Sequence, residues 1–388
     1  MTTVIPPTTQ NEKLKRFVAE TAPATPCLVF DVDQVEANYR ALKSALPESS
    51  VFYAIKANPA APVLKRLADL GSCFDCASVP EIEMALAAGA TPDRISFGNT
   101  IKKQRDIATA YEIGVRIFAF DSEMELKKLA ESAPGSKVFC RILCDGAGAE
   151  WPLSKKFGCE PDMAYDLLVQ AQSLGLVPWG VSFHVGSQQK DPKQWDGAVK
   201  TVAQLFKKLD KKGIDLDMIN MGGGFPTVYL KPVPSTLDYG KRIHASLTRH
   251  FGNHIPGTVI IEPGRGMVGN AGVVLAEVVL VSRKSKSDPV RWVYLDIGKF
   301  GGLIETLDES VHYPIATSRD SESESSSRVI LAGPTCDSMD VLYEKTEYHL
   351  PDTLNAGDII TFHSAGAYTT TYAAQSFNGF KPLEEHYI

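Results

Sequence analysis

No apolar run in this 388-residue chain approaches the ~18 residues that a membrane-spanning helix needs. Basic charge is scarce as well. Against 46 Asp and Glu stand 40 Lys and Arg, a net charge of −6, so the positive footprint of a nucleic-acid or anionic-membrane binder is missing. The opening MTTVIPPTTQNEKLKRF lacks the charged-then-apolar plan of a secretory signal, and a cytoplasmic location is expected. Disulfide scaffolding has no support either: the seven cysteines are odd in number and without framework spacing. Cys73 and Cys76 have CxxC spacing. A redox or zinc site would need a following helix start or a second ligand pair. The run CFDCAS reads instead as a strand, so buried structural thiols and no metal site are expected.

What remains is an ordinary globular balance, 44% hydrophobic and 22% charged, long enough for two domains. Eight short apolar runs are separated by helical patterns: VFYAIKA (51–57), CFDCAS (73–78), ISFGN (95–99), RIFAFD (116–121), VFCRILC (138–144), WGVSFHVG (179–186), MINMGGG (218–224) and TVIIEPG (258–264). Between them lie stretches such as PVLKRLADLG and KTVAQLFKKLDKKG, with apolar residues at helical spacing. The class expected is α/β, an eight-unit (β/α)₈ TIM-like barrel over about residues 31–270. After about 270 the texture turns to strands and turns, with runs at 272–285, 290–298, 327–333, 356–366 and 367–375, a mostly-β domain over 271–388. The first 30 residues are expected to join it through PCLVFD, and the polar run 317–328 to be a mobile surface loop.

A barrel gathers its chemistry at the C-terminal ends of its strands. Lys56, Asp75, Asn99, His184, Gly222 to Gly224 and Glu262 all fall at or just past those ends. A lysine after Val51-Phe52-Tyr53-Ala54-Ile55 is costly to bury as an ammonium, unless its amine forms a Schiff base to an aldehyde. The bland alternative is snorkelling out of the strand end. Glu262, in IIEPGRG, is placed to hold a proton on a pyridine nitrogen, with Arg265 three residues on as a phosphate ligand. A surface ion pair is the alternative, less attractive after three apolar residues. The glycines 222–224 free backbone N–H groups for a phosphate or make only a tight turn. His184 and Ser187, in SFHVGSQ, suit a ring stack and a phosphate contact, although a lone histidine is commonly structural. Tyr368, in GAYTTTY, is a further phosphate candidate. Cys336-Asp337, in AGPTCDSMD, pairs a proton-donating thiol with an acid for a distal amine, or is a turn. Together these parts call for pyridoxal 5'-phosphate acting on an amino acid.

The motifs YAIKANP, FDCAS, SFHVGS, GGGFP, EPGRG, GPTCD, GAYT and FNGF, in that order from about residue 25 to the C-terminus, resemble the fold-type III pyridoxal phosphate decarboxylases of the ornithine decarboxylase type. The resemblance implies an alanine racemase-like barrel plus β domain. It makes Lys56 the Schiff-base lysine, Glu262 the partner of the pyridinium nitrogen, and His184 the stacking ring. Ser187, Gly223, Gly224, Arg265 and Tyr368 would hold the phosphate, and Asp75 would lie beside Lys56. Cys336, the proton donor, and Asp337, the substrate ligand, would come from the second subunit of a homodimer with shared active sites. A further acid would come from ETLDES (305–310), where Asp308 and Glu309 are both candidates. Two departures from the animal and protozoal pattern, Trp151-Pro152 and Phe300, point to the bacterial branch, some of whose members take L-lysine as well as L-ornithine. Diaminopimelate decarboxylases usually carry Cys-Glu-Ser where this chain has Cys336-Asp337-Ser338, and arginine decarboxylases of this fold are expected to be much longer. The rival readings are a decarboxylase of diaminopimelate or a carboxylated polyamine, and a decarboxylase-like protein that binds a regulator without catalysis.

Overall fold

A computed structural model of the protein describes residues 11–144, 146, 148–151 and 156–388. It divides into two compact units. One comprises Glu36–Pro226 and Val233–Met267; the other gathers the chain up to Val35, Thr227–Pro232 and Val268–Ile388.

The first unit is a closed barrel of eight parallel strands. In chain order they are Ser49–Ala54, Cys73–Cys76, Ile95–Phe97, Ile117–Phe120, Lys137–Arg141, Val177–Ser182, Met218–Asn220 and Thr258–Ile261, the eight runs read from the sequence. Closure follows from the last strand pairing the first, Ile261 opposite Val51. Phe52, Ile117, Ala119, Phe139, Trp179, Met218 and Ile260 form one buried cluster. They come from strands on opposite sides of the ring, so they meet in the lumen and fill it. Some of the helices between strands start on side-chain caps, while those at Ala61–Asp69, Gln104–Ile113, Pro161–Ser173 and Gln194–Asp210 start without one. Ser78 and Ser122 accept from Glu81 N and Glu125 N, and Ser235 and Asp238 form a capping box.

The second unit is an eight-stranded sheet. Its spine is Gly272–Ser282, which turns its first half to Cys27–Phe30 and Ile359–Phe362 and its second half to Arg291–Leu295, with a shift of register between Val278 and Leu280. Leu14, from the helix Glu12–Thr21, packs with Cys27, Val29, Val273 and Leu275. The strand Val341–Pro351, eleven residues long, has no counterpart in the sequence reading. Its run VLYEKTEYHLP mixes charges and aromatics, which blurred the alternation. Conversely, 367–375 is not a strand: it is a series of turns, with Tyr368 in the left-handed region at φ 63°. Part of 317–328 is sheet as well, because Ser326–Ala332 pairs antiparallel with Val341–Pro351. No helix among the described residues is long and apolar enough to cross a membrane.

Candidate active site

Six strand ends of the barrel converge on one polar cluster. Lys56 does not sit in the first strand itself. The strand stops at Ala54 and the lysine belongs to a single 3-10 turn, Ile55–Ala57. Buried Ile55 and Ala57 flank it, while its own side chain is exposed. Asp75, on the second strand, accepts from Ser96 Oγ at 3.3 Å. Its carboxylate fills the space beside Gly98, where an added Cβ would lie 1.8 Å from Oδ1. Burial pushes the Asp75 carboxyl up, and the charge of Lys56 pulls against that.

His184 lies two residues past the sixth strand. Its Nδ1 accepts from Gly186 N at 3.0 Å, so the proton of the neutral ring sits on Nε2. Burial, then the charges of Arg141 and Lys56, hold this imidazole well below its usual range, as suits a flat neutral ring. Glycines bring the neighbouring loop close. A Cβ on Gly223 would come within 2.6 Å of Glu262 O and 3.1 Å of His184 Nε2, and Gly222, at φ 65°, would meet Phe183 O at 2.3 Å. Glu262 follows the eighth strand directly, and its N–H donates to Gly222 O at 2.8 Å. Burial, then the charge of Asp75, raises its carboxyl to about 7, against the pull of Asn220, Arg141 and Lys56.

Ser187 and Arg265 are 78 residues apart in sequence, yet Arg265 Nε and Nη2 both lie 3.4 Å from Ser187 Oγ. Arg265 is buried. Among the described residues, no hydrogen bond is made to the N–H of Gly223 or Gly224. Two backbone donors, a hydroxyl and a guanidinium therefore stand in one neighbourhood, the donor set that a phosphate monoester requires. The neutral ring of His184 and the acid Glu262 complete a set that fits pyridoxal 5'-phosphate.

Two members of the cluster escaped the sequence reading. Arg141 ends the fifth strand, where burial lowers its guanidinium and the charges of Glu262, Asp75 and Asp121 oppose that. Asn220 ends the seventh strand, with its side chain between Gly222 and Glu262. The signal available was the rule already used: polar residues at the ends of barrel strands.

The remaining candidates belong to the β unit. Cys336 is exposed; its N–H and Sγ lie 3.1 and 3.5 Å from Asn378 Oδ1, which ties GPTCD to FNGF. Asp337 Oδ1 accepts from Met339 N at 2.8 Å. Buried Asp340 fastens the same loop through Thr335 Oγ1 at 2.7 Å and Lys299 N at 2.7 Å. Tyr368 stacks on Tyr372 at 5.3 Å. The two acids of 305–310 separate clearly. Glu309 is engaged by the backbone of 344–346, whereas Asp308 is exposed at φ 51°. Phe300 packs on Phe377 at 4.8 Å. Of the Trp151-Pro152 pair, Pro152 lies outside the described residues.

Comparison with known proteins agrees with this geometry. Residues 32–269 match the family described as pyridoxal-dependent decarboxylase, pyridoxal binding domain. The lysine/ornithine decarboxylase of Selenomonas ruminantium is 34% identical over 371 residues, covering 95% of this chain and 91% of its own. The antizyme inhibitor 2 of Xenopus laevis, named for inhibition rather than for a reaction, is 32% identical over 386 residues, covering 97% and 84%. Among solved structures, the arginine decarboxylase of Paramecium bursaria Chlorella virus superposes with a TM-score of 0.88 at 29% identity, covering 97% of this chain and 100% of that one. A short arginine decarboxylase of this fold therefore exists, and length does not separate this chain from such enzymes. The chain belongs to the pyridoxal-dependent decarboxylases of basic amino acids, and its cofactor is pyridoxal 5'-phosphate.

Proposed function

We propose that this protein is an L-ornithine decarboxylase, forming putrescine, that also accepts L-lysine. One observation carries the reading: Lys56, Asp75, His184, Glu262 and the Ser187–Arg265 pair collect at one end of one barrel. Bound pyridoxal 5'-phosphate supplies the sink for the electron pair left on the α-carbon when carbon dioxide departs. Lys56 holds its aldehyde carbon, and Glu262 keeps the proton on its ring nitrogen. Neutral His184 packs against the ring. Ser187, Arg265, Tyr368 and the N–H groups of Gly223 and Gly224 hold the phosphate. Asp75 sets the charge around Lys56.

Cys336 then delivers its thiol proton to the former α-carbon, and Asp337 accepts the distal ammonium of the substrate. Both come from a second copy of the chain. The exposed Met339, Tyr372, Phe377 and Phe380, close in sequence to Cys336 and its partner Asn378, support a homodimer, since solvent is a poor neighbour for four large apolar groups. Asp308 is the second acid for the distal ammonium, because Glu309 is already engaged. A short pocket closed by acids prefers the right chain length by only ~1–3 kcal/mol per methylene, so activity on lysine is expected beside ornithine. A cytoplasmic location completes the reading.

The test is carbon dioxide release by the purified protein with pyridoxal 5'-phosphate on L-ornithine, L-lysine, L-arginine and diaminopimelate. Release fastest from ornithine and measurable from lysine is expected. Release from arginine or diaminopimelate alone would replace the proposed substrate. Release from none, with no cofactor absorbance, would favour a binding protein like the antizyme inhibitor relative.

A further inference from the structure

We propose that Asn220 is a positioning residue for Glu262: its amide N–H holds one carboxylate oxygen as an acceptor and leaves the other for the ring nitrogen of the cofactor. The inference rests on the pyridoxal phosphate reading of Glu262 and deepens it. Asn220 is buried at the end of the seventh strand. Its Nδ2 lies 2.5 Å from Glu262 Oε1, and its Oδ1 accepts from Gly222 N at 2.9 Å. The second bond fixes the first. A backbone N–H can only donate, so the oxygen of the amide must face Gly222 and the nitrogen must face Glu262. Glu262 N in turn donates to Gly222 O at 2.8 Å, closing a small ring of three residues.

The chemistry requires such a donor. Glu262 keeps a proton on a ring nitrogen only as a carboxylate, and its surroundings press it toward the neutral acid. Burial acts first and the charge of Asp75 second; Asn220, Arg141 and Lys56 oppose them. The neutral His184, near the same glycine loop, adds no charge. Of the opposing groups, Asn220 acts through a direct side-chain hydrogen bond to Glu262, and an amide N–H₂ cannot accept. It therefore holds the ionised carboxylate through a charge-assisted hydrogen bond that is stronger than the one the neutral acid would accept. The same residue anchors Gly222, so it couples the shape of the glycine loop to the charge of the acid.

The experiment follows the Glu262 carboxyl through its infrared carbonyl stretch in the cofactor-free protein, assigned by its absence in Glu262→Gln. Asn220→Ala is expected to move the protonation midpoint upward by about one pH unit or more, the shift expected when a hydrogen bond to a charged group is lost. Asn220→Asp keeps an acceptor for Gly222 N but replaces the donor with a second acid. It is expected to move the midpoint up as well, and to keep the fold if the alanine variant does not. Midpoints equal to wild type in both variants would overturn the proposal. With cofactor loaded, the pH profile of its absorbance should shift in the same direction while the substrate KM changes little. If the protein bound no pyridoxal phosphate at all, the functional reading would fall, and the infrared titration would still decide whether Asn220 sets the charge of Glu262.

Discussion

Glu309 Oε2 accepts both the backbone N–H and the hydroxyl of Thr346, at 2.7 and 2.6 Å. Glu309 Oε1 takes the N–H groups of Glu344 and Lys345 at 2.8 and 2.7 Å. Burial alone would raise this carboxyl, but the hydrogen bonds prevail and hold it down to about 2, from an ordinary 4.5. A carboxyl depressed in the folded state contributes stability that is full above 4.5 and lost as the pH falls toward about 2. Glu309→Ala is expected to cost on the order of 2 kcal/mol in urea unfolding at neutral pH, with decarboxylation retained. A stability gap that fails to narrow in acid would argue against this account.

A buried ion pair makes a second prediction. Lys102 Nζ lies 3.0 Å from Glu125 Oε1, both side chains almost wholly buried, and it donates to Ala119 O at 2.6 Å and Asn99 O at 2.8 Å. Burial drives the Lys102 ammonium down to about 8 from 10.5, although the charge of Glu125 opposes it. Between those values the unfolded chain binds the proton and the folded one releases it, so this group makes stability rise with pH from about 8 to 10.5. Lys102→Met is expected to cost about 3 kcal/mol, and Lys102→Met with Glu125→Leu to recover most of it. Thermal or urea unfolding of the three proteins would show either pattern.

Glu262 works with the opposite sign. Its carboxyl is raised in the folded state, to about 7 from 4.5, so the cofactor-free protein should lose stability as the pH rises through that window. Asp75 shares the titration, so Glu262→Gln should remove part of the slope rather than all of it. Urea midpoints of the two proteins that ran parallel across this window would sink the prediction.

Arg265→Ala should weaken cofactor retention by ~10–100-fold while leaving the substrate KM unchanged at saturating cofactor, because a charge-assisted contact to phosphate is lost. Equilibrium dialysis against pyridoxal 5'-phosphate measures it. An unchanged dissociation constant would remove Arg265 from the phosphate site.

Cys336→Ala should keep the cofactor absorbance and lower turnover by ~10²–10⁴-fold, the range for a lost proton donor. Asn378→Ala should show a weaker form of the same defect, since Asn378 Oδ1 bonds both the N–H and the thiol of Cys336. Normal kinetics and products in Cys336→Ala would take the thiol out of the mechanism.

The sequence by itself determined the barrel and most of the cluster. Eight apolar runs alternating with helices are the pattern of a closed barrel, and in a barrel the polar residues at the strand ends share one face. Lys56, Asp75, His184 and Glu262 were legible for that reason. Tertiary structure alone decided the rest. That Ser187 and Arg265 meet depends on how the strand Ser187–Gln189 and the helix Arg265–Val268 are brought together across 78 residues, which no local pattern encodes. That Glu309 binds the backbone N–H groups of Glu344 to Thr346, inside a strand, while its neighbour Asp308 faces solvent depends on one left-handed turn and on a strand the sequence did not announce. Arg141 and Asn220 look like any polar residue that ends a strand. Only the low-dielectric crowd around Glu262 gives their charge and their hydrogen bonds a consequence.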